Sequence, residues 1–256
     1  MVSADKAHII PKLQQEILAL QGYRLPGIME SQIMLGPIQD AFPNRSFPLG
    51  AIHEFLFSNW EDGAATCGFI TALLKPVMTN GGIIFWVGQK RTLFPPALES
   101  FGICPDKIVF VDVTNEKHVI WSVEEALKCP ALSAVIGELH GISFTASRRL
   151  QLAVEQSEVT GFLLCNSPRP PAATACVSRW RITSLPGHVS ENLPGVGFPQ
   201  WRVELLRIRN GRPGVWDIRL SAGKFELAVL PGRETYEPYI EELTHNSSDR
   251  IIKKAV

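Results

Sequence analysis

Ala51-Ile52-His53-Glu54-Phe55-Leu56-Phe57 opens the stretch that decides the fold. It reads as a strand. A small-residue turn, Asp62-Gly63-Ala64-Ala65, leads from it into a helix over about 64–79, marked by Phe69, Ile70, Leu73, Leu74 and Val77. The alternation then repeats. Gly82–Gly88, Lys107–Val113, Ala134–Leu139 and Thr160–Asn166 are strand-length apolar runs, and helical patterns lie between them at about 95–101, 117–128 and 145–158. Runs that are apolar throughout are buried on both faces, as in a parallel sheet covered by helices.

After Pro168 the style changes. Arg181-Ile182-Thr183, Trp201–Arg209 and Val215–Leu220 alternate polar and apolar residues, and Arg209-Asn210-Gly211-Arg212 supplies a hairpin turn. The fold class is therefore α/β: a mostly parallel sheet flanked by helices, with antiparallel C-terminal strands. Upstream, Ile9, Leu13, Ile17 and Leu20 recur at helical spacing, with Gly22 as C-cap and Pro11 suited to a first turn. Residues 1–22 thus carry an N-terminal helix. Residues 23–48, with Pro26, Pro37, Pro43 and Pro48, form a linker that either packs on the core or tethers the helix elsewhere. Residues 49–232 form the core domain, and the polar residues 233–256 a flexible tail.

Composition narrows the function classes. An apolar fraction of 45% supports a core without staples. Zero formal charge removes any global attraction to nucleic acid or anionic lipid, so such affinity must come from a local patch. No apolar run approaches the roughly 20 residues of a membrane span, and the start has no signal-peptide pattern. Cys67, Cys104, Cys129, Cys165 and Cys176 lack any CxxC spacing and read as reduced, mostly buried residues of a cytoplasmic protein. His53-Glu54 begins like a zinc-protease motif, but Phe57 stands where the second histidine belongs, so no metal is expected.

The order of elements resembles the RecA core over about residues 50–222. Phe47-Pro48-Leu49-Gly50-Ala51-Ile52-His53-Glu54 is similar to the strand that enters a RecA-type phosphate loop. Arg148-Arg149-Leu150-Gln151-Leu152-Ala153 lies on the helix before a buried strand, and the run from Trp201 to Gly214 looks like the family's arginine-rich strand and hairpin. Together with the Pro-Leu-Gly-Ala-Ile-His-Glu phrase, these features resemble ImuA, the RecA-like member of bacterial mutagenic translesion cassettes.

The resemblance locates a phosphate loop at Ser58–Thr66. A working loop uses glycines to close backbone N–H groups on the phosphates, a lysine to neutralise them and a hydroxyl to hold magnesium. Gly63 matches the last glycine, but Ala64 takes the lysine position and Ala65 the hydroxyl position. Glu61 and Asp62 add negative charge where a polyphosphate would sit, a repulsion of roughly 4 kcal/mol per pair near 4 Å. Gln89 stands at the water-activating glutamate and cannot act as a base. Glu138 retains a carboxylate at the Walker B position. The degenerate loop therefore implies no hydrolysis and no nucleotide cofactor.

Arg179, Arg181, Arg202, Arg207, Arg209 and Arg212 fall in one stretch interleaved with Trp180, Trp201 and Trp216. Such a stretch suits nucleic acid, a protein interface, or edge-strand protection with core tryptophans. The Ile9, Leu13, Ile17 and Leu20 stripe faces a partner or covers the domain's own core. By resemblance, the chain is a non-catalytic accessory factor of damage-inducible error-prone translesion synthesis. An ImuB-like polymerase-like protein is then the implied partner. RecA, an error-prone replicative-type polymerase, weak DNA contact and self-association are further candidates. The alternatives are a divergent RecA-like ATPase and a RecA-like regulator of cell division.

Overall fold

The structure is a computed structural model. It describes Ile9 and residues 12–18, 33–78, 81–91, 93–167, 172–188 and 197–228. Leu20, residues 23–32 and the tail at 233–256 lie outside the described residues. Residues 12–18 are helical and are named α1. The strands are β1 (Ile52–Phe57), β2 (Ile83–Gly88), β3 (Ile108–Asp112), β4 (Leu132–Leu139), β5 (Thr160–Asn166), β6 (Ser178–His188), β7 (Phe198–Ile208), β8 (Gly214–Ser221) and β9 (Lys224–Leu227). The helices between them are α2 (Trp60–Val77), α3 (Glu116–Leu127) and α4 (Phe144–Ser157), with a 3-10 helix at Pro95–Phe101.

These strands make one nine-stranded sheet in the order β3-β2-β4-β5-β1-β6-β7-β8-β9. Pairings from β3 through to β6 are parallel, and those from β6 to β9 antiparallel. The α/β class with antiparallel C-terminal strands is thus as the sequence predicts. The antiparallel part is more extensive than Arg181–Thr183 suggested, because β6 runs the full length of β7.

Each face of the sheet buries its own core. Phe69, Ile70, Leu73 and Leu74 of α2 pack on one face, with Trp180 and Trp201 from the antiparallel strands. Phe55 and Trp180 stack there at 5.8 Å with rings 7° apart. Val119, Val123 and Leu127 of α3, with Leu150 and Val154 of α4, cover the other face. Helices on both faces explain the continuous apolar strands.

Of the two readings of the linker, packing on the core holds for its described part, residues 33–48. Ile33, Leu35, Ile38, Ala41, Phe42 and Phe47 are buried in the α2-side core. This segment forms 3-10 helices at Gly36–Ala41 and Pro43–Arg45. Gly36 sits at φ 57, and a Cβ there would come within 2.2 Å of the Phe225 carbonyl oxygen. Proline content signalled irregular backbone, but the apolar residues between the prolines decide where that backbone lies.

Candidate binding cleft at the carboxyl edge of the sheet

Helix α2 starts earlier than the small-residue turn suggested. Ser58 and Asn59 alone separate β1 from α2. Asn59 is the reason: its side-chain oxygen accepts the Asp62 N–H at 2.7 Å. Its amide donates to Asp62 Oδ2 at 2.8 Å. Glu61 and Asp62 then occupy the first turn, where carboxylates favour the helix N-terminus. Asp62 Oδ1 also accepts the Ser184 N–H at 3.3 Å. Gly63, Ala64 and Ala65 therefore lie inside α2 rather than in a loop before it. Ala65 is buried in the core, while Gly63 and Ala64 face a cleft.

That cleft has a volume of about 890 Å³. It opens beyond the carboxyl ends of β1, β2, β4 and β5, between α2 and the 3-10 helix at Pro95–Phe101. Such a crevice is the usual ligand position in open α/β sheets. Gly63, Ala64, Gln89 and Glu138, which the sequence singled out separately, all line it. Phe57, Trp60, Phe94, Phe101 and Trp201 contribute to its walls, with Lys90 and His140 among the polar residues. Sequence reasoning missed Phe94 and Phe101, which belong to no motif and stand at the two ends of a short irregular helix.

Glu138 is the chemically distinctive group. The buried Trp86 indole donates to its Oε1 at 2.6 Å. Burial nevertheless holds its carboxyl above the ordinary range, opposed by that hydrogen bond and reinforced by nearby Asp112. On the cleft wall, burial and the Glu138 charge push the Cys67 thiol up to about 12, so it is an inert apolar lining. Cys165 and Cys176 are buried as expected, but Cys104 and Cys129 are exposed.

The candidate arginine surface is largely committed within the chain. Arg179 Nε donates to buried Glu54 at 2.7 Å. Arg202 makes a two-pronged contact with Asp217 at 2.8 and 2.9 Å. Arg181 pairs with Glu204 at 3.3 Å. Arg207 and Arg209 donate to the Thr174 and Ala175 carbonyls at 2.9 and 3.4 Å. Arg212 is exposed. Trp180, Trp201 and Trp216 are buried in the core rather than displayed.

His53, which opened the incomplete zinc motif, has a structural environment. Its Nε2–H donates to the Pro48 carbonyl at 2.8 Å, so its Nδ1 accepts from Ser178 Oγ at 2.6 Å. Trp180 Nε1 in turn donates to Ser178 Oγ at 2.6 Å. On α1, Ile9, Leu13 and Ile17 are 51%, 50% and 51% exposed, while the neighbouring Leu18 packs against the core. Among the described residues, no helix is long and apolar enough to cross a membrane.

No family model matches the chain. It is 35% identical over 191 residues to "Protein ImuA" of two strains of Caulobacter vibrioides. That alignment covers 70% of this chain and 78% of each relative. At that identity and coverage, the chain belongs to the ImuA family.

Proposed function

We propose that this protein is a non-catalytic, RecA-like accessory factor of damage-inducible, error-prone translesion synthesis, acting in the cytoplasm by binding an ImuB-like polymerase-like protein. Membership of the ImuA family supports the process. The observation that carries the non-catalytic part is the β1–α2 junction. Where a phosphate loop would offer free N–H groups, Asn59 caps the helix and Glu61 and Asp62 supply negative charge. Ala64 brings no cation to the cleft, and Gln89 brings no base. Hydrolysis by this arrangement would lack the phosphate-loop lysine, its hydroxyl and the water-activating base.

Binding to protein is favoured over binding to DNA. A phosphate-tracking surface needs uncommitted cations, whereas Arg179, Arg181 and Arg202 face carboxylates of the same chain. The exposed Ile9, Leu13 and Ile17 stripe is better suited to a partner: Leu18 anchors the helix and leaves the stripe uncovered. RecA, an error-prone replicative-type polymerase and a second copy are further candidates for that stripe.

Deleting the gene tests the process. Damage-induced mutation frequency should fall toward the uninduced level and be restored by the intact gene. An undiminished mutation frequency in the deletion strain would rule the reading out.

A further inference from the structure

The sheet ends in two edge strands, and only one of them is guarded. β9 is four residues long and carries Lys224 and Glu226. The 3-10 helix at Gly36–Ala41 packs against it, with Gly36 close under the Phe225 carbonyl. At the other end β3 reads Ile108-Val109-Phe110-Val111-Asp112. Its register with β2 runs without a bulge, and its three central residues include neither a charge nor a proline. Edge strands are normally guarded by charge, proline, a bulge or a covering segment, because their unpaired backbone groups template another strand.

One bond fixes which backbone groups point outward. The Val113 N–H donates to the Gly88 carbonyl of β2 at 2.9 Å. Alternate residues of a parallel ladder turn their N–H and C=O to the same neighbour. Val109 and Val111 therefore face β2, while Ile108, Phe110 and Asp112 turn theirs away from it. Among the described residues no strand pairs on that side. The side chains add an apolar footing. Val109 stands beside Phe85, on the face where Phe85 and Val111 pack with α3, and strand alternation puts Ile83 on the same face. Helix α3 packs on β4 and β2, leaving Val109 and Ile83 40% and 42% exposed.

We propose that β3 receives an extended segment of the protein partner as a further strand, with apolar side chains at alternate positions covering Val109 and Ile83. The partner's identity rests on the reading above, and this seat is separate from the α1 stripe. The outward N–H and C=O groups of Ile108, Phe110 and Asp112 select an extended backbone, since a helix satisfies its own. Main-chain hydrogen bonds supply the attachment, and the alternate side chains supply the selectivity. A second copy fits less well. Two β3 edges meeting would offer five residues each, against the roughly 20–30 a side of a stable interface.

Amide hydrogen exchange of the full chain, alone and mixed with its ImuB-like protein, tests this. The Phe110 and Asp112 amides should exchange at least about tenfold more slowly in the complex. Val109→Lys puts a charge on the footing and should weaken the complex about tenfold. Val109→Thr keeps the β-branched shape and should bind within about twofold of the parent. Exchange is read on the unmodified chain, so it decides the outcome even if Val109→Lys fails to fold. A complex that leaves these amides unprotected, or one that a folded Val109→Lys forms as tightly as the parent, would overturn the proposal and leave the proposed function intact. Protection that rises with the concentration of the chain alone would assign the edge to a second copy and overturn it too. Absence of any complex with the unmodified chain would overturn both readings.

Discussion

The Trp86 indole holds Glu138 at 2.6 Å across the neighbouring strands β2 and β4, at the one carboxylate in the cleft wall. The bond orients the side chain, but it does not offset burial, which raises the Glu138 pKa. The folded state therefore binds this proton more readily than the unfolded state, and stability is lost as pH rises through the raised pKa. Glu138→Gln keeps an acceptor for Trp86 and removes the charge. At neutral pH this variant should be at least as stable as the parent. The difference should shrink as pH falls below the ordinary carboxylate range. Urea denaturation across that span measures it; a marked loss of stability at neutral pH would show that the charge is structurally required.

His53 should give a separate acid sensitivity. The chain from Trp180 through Ser178 to His53 and Pro48 uses each proton once and requires a neutral imidazole. Burial lowers its pKa from 6.5 to about 3. Above 6.5 both folded and unfolded states hold it neutral, so it adds no pH dependence there. Below that, the unfolded state takes up the proton first and stability falls. The loss reaches about 2 kcal/mol near pH 5, since each unit is worth about 1.4 kcal/mol. His53→Gln should be less stable at neutral pH and should lack this component. An equally steep decline between pH 6.5 and 5 in the variant would refute the assignment.

Arg179 and Arg212 should respond to truncation by very different amounts. Arg179 is held by buried Glu54 at 2.7 Å, with Thr174 on the same carboxylate at 3.0 Å. Arg179→Ala strands that charge and should cost about 3–5 kcal/mol. Arg212 is exposed at the β7–β8 turn, and Arg212→Ala should change stability by less than about 0.5 kcal/mol. Chemical denaturation of both variants checks this. A small effect at Arg179 would restore it as a candidate for an outside ligand.

The same contrast explains what was legible in the sequence. The parallel core was readable because buried strands such as Phe162-Leu163-Leu164 are apolar without interruption. The start of α2 was misread because Gly63, Ala64 and Ala65 look like a turn, while the deciding Asn59 cap is one side chain with a local hydrogen bond. Residues 33–48 read as linker because prolines mark irregular backbone without saying whether it is buried. Gln89 and Glu138 were found by resemblance, and only the strand order brings them to one cleft. The arginines showed their charge in the sequence, but not partners such as Asp217 from an adjacent strand.

The central claim is partner binding without nucleotide, and light scattering of the purified chain mixed with its ImuB-like protein tests it most directly. The expected result is a complex whose mass is the sum of its components, the same with and without magnesium and ATP. It should weaken when Leu13 and Ile17 of the exposed α1 stripe are both changed to Asp in a chain that still folds. No complex at micromolar concentrations, or a complex that forms only when ATP is present, would contradict it.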